Sequence, residues 1–126
     1  MNDLKKARLK KEKRNEMTGD LSALDPTVLR DSVRNAILTF PQEERAAITA
    51  RLVARLKEAR FDLRSSVIVL GINARSAEDL TPSDIGHIMR YLRLTAQPVF
   101  AAITPSLTEL LGDAERTRNR QSRQAA

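Results

Sequence analysis

The chain has 126 residues, of which 41% are hydrophobic and 30% are charged, and it carries a net charge of +6. This length fits a single domain with one modest core, and the scarcity of aromatic residues favours packed helices over a sheet sandwich. There is no cysteine and only one histidine, which excludes disulfides, thiolate metal sites and most zinc sites.

The positive charge is concentrated in two end segments. Residues 1–16 carry seven basic and three acidic side chains, a net of +4, and residues 116–126 carry four arginines and no acid. Between them, residues 17–115 hold 11 basic and 13 acidic side chains, a net of −2. The basic character therefore belongs to two arms on a slightly acidic body, and such arms suit an anionic partner.

Residues 1–17 are predicted to form a disordered basic arm, because high charge with little hydrophobicity is typical of disorder. No apolar stretch follows the positive charge, so a signal peptide is not expected, and the acidic residues argue against a mitochondrial presequence. The apolar runs of the chain are too short to span a bilayer. We therefore expect a cytoplasmic protein without a membrane span.

Residues 18–112 are predicted to form an all-α bundle of about four helices. Asp25-Pro26 is typical of a helix start, and Thr39 is expected to cap the next helix in a capping box with Gln42. From 42 to 70 there is no Gly or Pro, and the apolar residues step by 4, 4, 3, 4, 4, 3, which predicts one long central helix. An alternative makes 67–72 a strand, because β-branched residues cluster there.

The second half of the predicted bundle contains clearer signals for helix starts and ends. Gly71 is predicted to end the long helix in the left-handed conformation, and Thr81-Pro82-Ser83-Asp84 has the cap, proline and acid of a helix start. Pro98 should end or kink that helix. Thr104-Pro105 is then predicted to cap a last short helix that Gly112 ends. The remaining residues, 113–126, are predicted to form a disordered Arg-rich tail.

The two arms are the candidate binding elements. We expect their side chains to contact nucleic-acid phosphates without reading the sequence, or to contact an acidic protein surface. The predicted contact residues are the basic residues of the arms: Lys5, Lys6, Arg8, Lys10, Lys11, Lys13, Arg14, Arg116, Arg118, Arg120 and Arg123. Lys57, Arg60 and Arg64 lie on one side of the predicted 42–70 helix and form a candidate secondary basic face.

Two other arrangements have simpler interpretations. His87 shares a helix side with Ser83 and Asp84, but adjacent turns of one helix rarely align a nucleophile, base and carboxylate. Residues 82–103 loosely follow helix-turn-helix spacing, yet the turn lacks a Gly and Ala101 and Ala102 occupy the positions expected to read bases. No metal-ligand spacing or glycine-rich loop is present, so we expect no enzymatic function, no cofactor and no metal.

The sequence therefore favours a non-enzymatic, nucleic-acid-associated protein whose arms hold phosphates and whose body self-associates or docks. The alternative is an adaptor or assembly factor, with a body that docks on a protein complex and a basic N-terminus that contacts an acidic partner such as an ATPase or scaffold. A second, weaker apolar edge of the 42–70 helix is compatible with a homodimer through that helix, and it consists of Ala47, Ala50, Ala54, Phe61 and Ile68.

Overall fold

The structure is a computed structural model that describes residues 21–72 and 76–125. This part of the chain contains five α-helices, a short 3-10 helix and no strand. The α-helices are α1 (Pro26–Leu38), α2 (Gln42–Glu58), α3 (Leu63–Val69), α4 (Pro82–Thr95) and α5 (Gln97–Ala125), and the 3-10 helix (Ala77–Asp79) precedes α4. The all-α prediction is confirmed, with five helices in place of about four. The predicted N-terminal arm, residues 1–17, lies outside the described residues.

The centre of the core is the pairing of α1 with α4, which is the most extensive helix contact, and α5 packs against both helices. Gly86 lies where α1 and α4 come closest: a Cβ added there would lie 2.6 Å from the carbonyl oxygen of Arg30. The core side chains include Leu29, Val33 and Ile37 of α1, Ile85, Ile88, Met89 and Leu92 of α4, and Ile103 and Leu107 of α5, all fully buried.

Two predicted helix starts are confirmed. The Asp25 carboxylate accepts hydrogen bonds from the backbone N–H of Thr27 (2.9 Å) and Val28 (3.3 Å), with Pro26 in the first turn. At α4, the Thr81 hydroxyl accepts from the N–H of Asp84, while the Asp84 carboxylate accepts from the N–H of Thr81. Each cap satisfies N–H groups that have no partner inside the helix.

The predicted capping box at the start of α2 is wrong. Thr39 is instead the C-cap of α1, and its hydroxyl donates to the Asn35 carbonyl (2.9 Å). Pro41 is the N-cap of α2 and provides no side-chain cap. Instead, the Arg45 guanidinium donates to the carbonyls of Phe40 (2.7 Å) and Leu38 (3.0 Å), which holds the turn between the two helices.

The prediction of one long helix over 42–70 is also wrong, because α2 ends at Glu58 and α3 begins at Leu63. Arg60 adopts a left-handed conformation (φ 59°). The N–H of Arg60 donates to the Lys57 carbonyl (2.9 Å) and the N–H of Phe61 donates to the Leu56 carbonyl (3.0 Å). These are the two hydrogen bonds of a Schellman motif, which terminates a helix.

The short helix α3 is closed at both ends by local hydrogen bonds. Asp62 caps it by accepting from the N–H (3.2 Å) and hydroxyl (2.7 Å) of Ser65. The Ser65 hydroxyl bond, with smaller help from the N–H, lowers the pKa of the Asp62 carboxyl below its ordinary value. At the other end Gly71 is left-handed (φ 68°), as predicted. Residues 67–69, which the alternative interpretation placed in a strand, belong to α3 and are helical.

The end of the chain departs most from prediction. Pro98 lies in the first turn of α5, two residues after a break at Ala96, so α4 ends as predicted. However, α5 then continues through both Pro105 and Gly112 to Ala125, so the predictions of a short last helix and of disorder over residues 113–125 are wrong. The buried side chains Phe100, Ile103, Leu107, Leu110, Leu111 and Ala114 form one stripe across Pro105, and this packing outweighs the roughly 3 kcal/mol that an interior proline costs.

Candidate nucleic-acid interface

The last part of α5 extends beyond the hydrophobic core. Ala114 is fully buried and is the last buried side chain in the described part of the chain. The helix nevertheless continues over residues 115–125, a length of about 16 Å at 1.5 Å per residue. We call residues 115–125 the arginine extension. The side chains of residues 115–123 are exposed or half-buried, so they are available to a partner.

Local composition explains why this segment is helical. Glu, Arg, Gln and Ala have high helix propensity, and they supply most of the residues from 115 to 125. Nucleation is the costly step of helix formation, and here the core-facing part of α5 already provides the nucleus. The extension therefore forms a helix without an apolar stripe of its own. Because apolar stripes predicted the other helices from the sequence, that pattern could not predict this one.

Three of its four arginines share one face. At 100° per residue, Arg116, Arg120 and Arg123 fall within an arc of about 60° and span about 10 Å along the helix axis, while Arg118 lies on the opposite side. All four side chains are exposed. We call Arg116, Arg120 and Arg123 the arginine stripe.

Positive charge predominates in the arginine extension, which contains four arginines and one acid, Glu115. Arg116 forms an ion pair with Asp113, one turn earlier, and Arg120 donates a long hydrogen bond to the Thr117 hydroxyl (3.5 Å). No acidic residue follows Glu115 in the sequence. The C-terminal end of a helix carries a partial negative charge, so cations there also stabilise the helix. The stripe is therefore a row of positive charge along the helix, balanced at one end by the Arg116–Asp113 pair.

The secondary basic face is not retained as a helical face. Lys57 lies in the last turn of α2, Arg60 lies in the break and Arg64 lies in the first turn of α3. All three side chains are exposed, but the helix that would have aligned them ends at Glu58. The basic residues of the N-terminal arm, from Lys5 to Arg14, lie outside the described residues.

Two arginines of the body have a structural role that the sequence did not reveal. Arg93 donates to the carbonyls of Leu21 (3.0 Å) and Leu24 (2.5 Å) and so attaches the segment before α1 to the end of α4. Arg45 holds the α1–α2 turn in the same way. Since these guanidinium groups are bound to backbone carbonyls, they are poorly placed to bind an external anion.

The other sequence candidates are located as follows. His87 and Ser83 are exposed on α4, and Asp84 is bound in the capping box of that helix. Only Ala96 separates α4 from α5, and Ala101 and Ala102 are exposed on α5. Within residues 21–72 and 76–125, no group of three or more His, Asp or Glu side chains is placed to hold a metal ion.

Comparison with known proteins gives no assignment: no protein family, no curated protein and no solved structure matches the chain. Among the helices of the described residues, none has the length and apolarity needed to cross a membrane.

Proposed function

We propose that this protein binds nucleic acid without reading its sequence, and that the arginine stripe and the basic arm of residues 1–17 contact the phosphates. The observation that carries the proposal is the arginine extension, a helix beyond the core with three arginines on one face and no acid after Glu115. In this proposal the protein is non-enzymatic and acts in the cytoplasm.

The stripe suits a phosphate backbone for a simple electrostatic reason. Duplex DNA carries one negative charge for about every 1.7 Å of its axis, so a row of arginines about 10 Å long faces several phosphates at once. Each contact releases condensed counterions, which drives binding at low salt. Aromatic side chains are absent from both basic arms, so base stacking is not part of the proposed mechanism.

The test measures binding of full-length protein to duplex DNA and to RNA across a salt series. Replacing Arg116, Arg120 and Arg123 with Gln should weaken binding and reduce the slope of log affinity against log salt on duplex DNA by about 2 to 3, near 0.9 per lost phosphate contact. Residual binding should remain, because the seven basic residues of the N-terminal arm are intact.

A matched control removes the same charge from the body. Lys57, Arg64 and Arg90 are exposed and lie outside the arginine extension, so replacing all three with Gln should change the slope much less. If the two triple variants lose affinity equally, binding follows net charge alone and the stripe is not the binding element.

A second candidate function is the adaptor, and the exposed apolar side chains of α3 favour it. Ile68 is 76% exposed and Val69 is 68% exposed, although β-branched apolar residues are usually buried. In this function α3 docks on a protein and the basic arm contacts an acidic surface of that protein. A docking interface with an apolar centre should be far less sensitive to salt than phosphate binding, and substituting Ile68 with Asp should disrupt it.

A further inference from the structure

A groove lies between α2 and α5. It has a volume of about 570 Å³ and a partly apolar floor that includes Ile48, Leu52 and Leu110. We call it the α2–α5 groove. Ala47 and Ala54 line its α2 wall, so the weaker apolar edge recognised in the sequence is left uncovered there.

The α5 wall is acidic, and the α2 wall has two basic residues at its centre with the acidic Glu44 and Glu58 at its ends. Arg51 and Arg55 lie one turn apart on the α2 wall, and Glu109 and Asp113 lie one turn apart on the α5 wall. A separation of four residues corresponds to a rise of about 6 Å in both helices, so the two rows match in length. No ion pair joins the rows across the groove in the described part of the chain.

The charged side chains of the groove can form ion pairs with a partner, because their present ion pairs are weak or absent. Arg55 is paired with Glu58 and Asp113 with Arg116, and both pairs lie at the surface, with side-chain exposures between 45% and 68%. Exposed pairs of this kind contribute little, so new partners can replace them. Neither Arg51 nor Glu109 forms an ion pair within the described residues.

We propose that the α2–α5 groove is the contact surface of a two-fold symmetric dimer. In this dimer, Arg51 and Arg55 of each copy lie against Glu109 and Asp113 of the other. A two-fold axis requires a self-complementary patch, and the basic row at the centre of the α2 wall together with the acidic row of the α5 wall supplies one. The small side chains of Ala47 and Ala54 let a helix from the second copy approach the groove closely.

The dimer does not depend on the proposed function, but it would affect it. The acidic row and the arginine stripe lie on the same helix, only a few residues apart. A dimer therefore carries two arginine extensions on one particle. Linked binding elements hold an extended ligand more tightly than separate ones, provided that both can reach it.

The test is the oligomeric state of full-length protein without nucleic acid, measured by sedimentation equilibrium over a wide concentration range. The wild-type protein should dimerise. Reversing the basic row (Arg51→Glu with Arg55→Glu) or the acidic row (Glu109→Arg with Asp113→Arg) should weaken the dimer at least about tenfold, because like charges then face each other. Combining all four substitutions should restore the dimer.

The control is a reversal of two exposed charges away from the groove, Lys57→Glu with Arg90→Glu, which should leave the dimer unchanged. Circular dichroism of each variant reports whether the bundle is folded. A protein that remains monomeric at every concentration overturns the proposal, and so does a dimer that tolerates both reversals. Either result leaves the nucleic-acid proposal untouched, because that proposal is tested by the salt dependence of binding.

Discussion

At the scale of single residues, the contact between α1 and α4 depends on the absence of a side chain at position 86. Gly86 is buried in the middle of α4, where glycine is otherwise unfavourable for a helix. A Cβ at this position would lie only 2.6 Å from the Arg30 carbonyl oxygen and 3.2 Å from the Arg30 Cγ atom. Since a backbone oxygen cannot rotate away as a side chain can, the two helices would have to separate.

We therefore expect Gly86→Ala to lower the free energy of unfolding by about 1 to 3 kcal/mol, the usual cost of overpacking. Gly112→Ala is the matched control, because the nearest atom to its added Cβ is the Arg116 guanidinium at 3.5 Å. That change should stabilise the protein by about 0.5 to 1 kcal/mol, since alanine is the better helix former. Urea denaturation measures both values, and equal effects would contradict the close approach of α1 and α4.

Helix caps were predicted correctly where all the hydrogen-bonding groups of the cap lie close together in the sequence. Asp25 and Thr81 cap their helices as the sequence predicted, because the acceptor and the N–H donors lie within three residues. The capping prediction for Thr39 was wrong because Thr39 lies between two helices, and its conformation is set by the end of α1. Arg93 could not be predicted, because its carbonyl partners lie about 70 residues away in the chain.

At the scale of helices, the ends of α2 and α5 do not coincide with the Gly and Pro residues that usually break helices. The chain breaks at Arg60, where no Gly or Pro is present, and it continues through Pro105 and Gly112. The apolar stripe of α2 steps regularly across the break, because Leu63 and Val67 still face the core from α3. A periodic pattern reports which side chains are buried, and here it did not reveal that the helix carrying them had ended.

The break itself makes a prediction, because Arg60 is the only non-glycine residue with a positive φ in the described part of the chain. A left-handed conformation costs a non-glycine residue about 1 to 2 kcal/mol. Glycine avoids that cost but loses more entropy on folding, so Arg60→Gly should leave stability unchanged or raise it by up to about 1 kcal/mol. Arg60→Val should lower it by at least about 1 kcal/mol, because a β-branched residue tolerates this conformation least.

Thermal and urea denaturation of the two variants test this prediction. The Arg60 side chain is exposed, so few packing contacts are lost in either variant and the backbone conformation dominates the comparison. If Arg60→Val were as stable as Arg60→Gly, residue 60 would not be left-handed and the helix break would need another cause.

At the scale of the whole molecule, the distribution of charge was evident from the sequence, but the form of the second basic segment was not. A tail without apolar periodicity fits disorder when it is considered alone. In the protein it begins on a helix that is already formed, so it extends that helix at little cost. The α2–α5 groove was beyond sequence reasoning for a different reason: its walls come from helices about 60 residues apart in the chain, and only packing brings them together.

This arrangement predicts that the body and the arginine extension are energetically separable. Removing residues 115–126 deletes no buried side chain in the described part of the chain, so the free energy of unfolding should change by no more than about 0.5 kcal/mol. Far-UV circular dichroism should lose the signal of about one-seventh of the α-helix, while affinity for DNA should fall as in the arginine-stripe variant. A shorter protein that also lacks 110–114 loses the buried side chains Leu110, Leu111 and Ala114, and it should be destabilised by several kcal/mol or fail to fold. If the first truncation were as harmful as the second, the extension would pack against the bundle and would not be free to hold a partner.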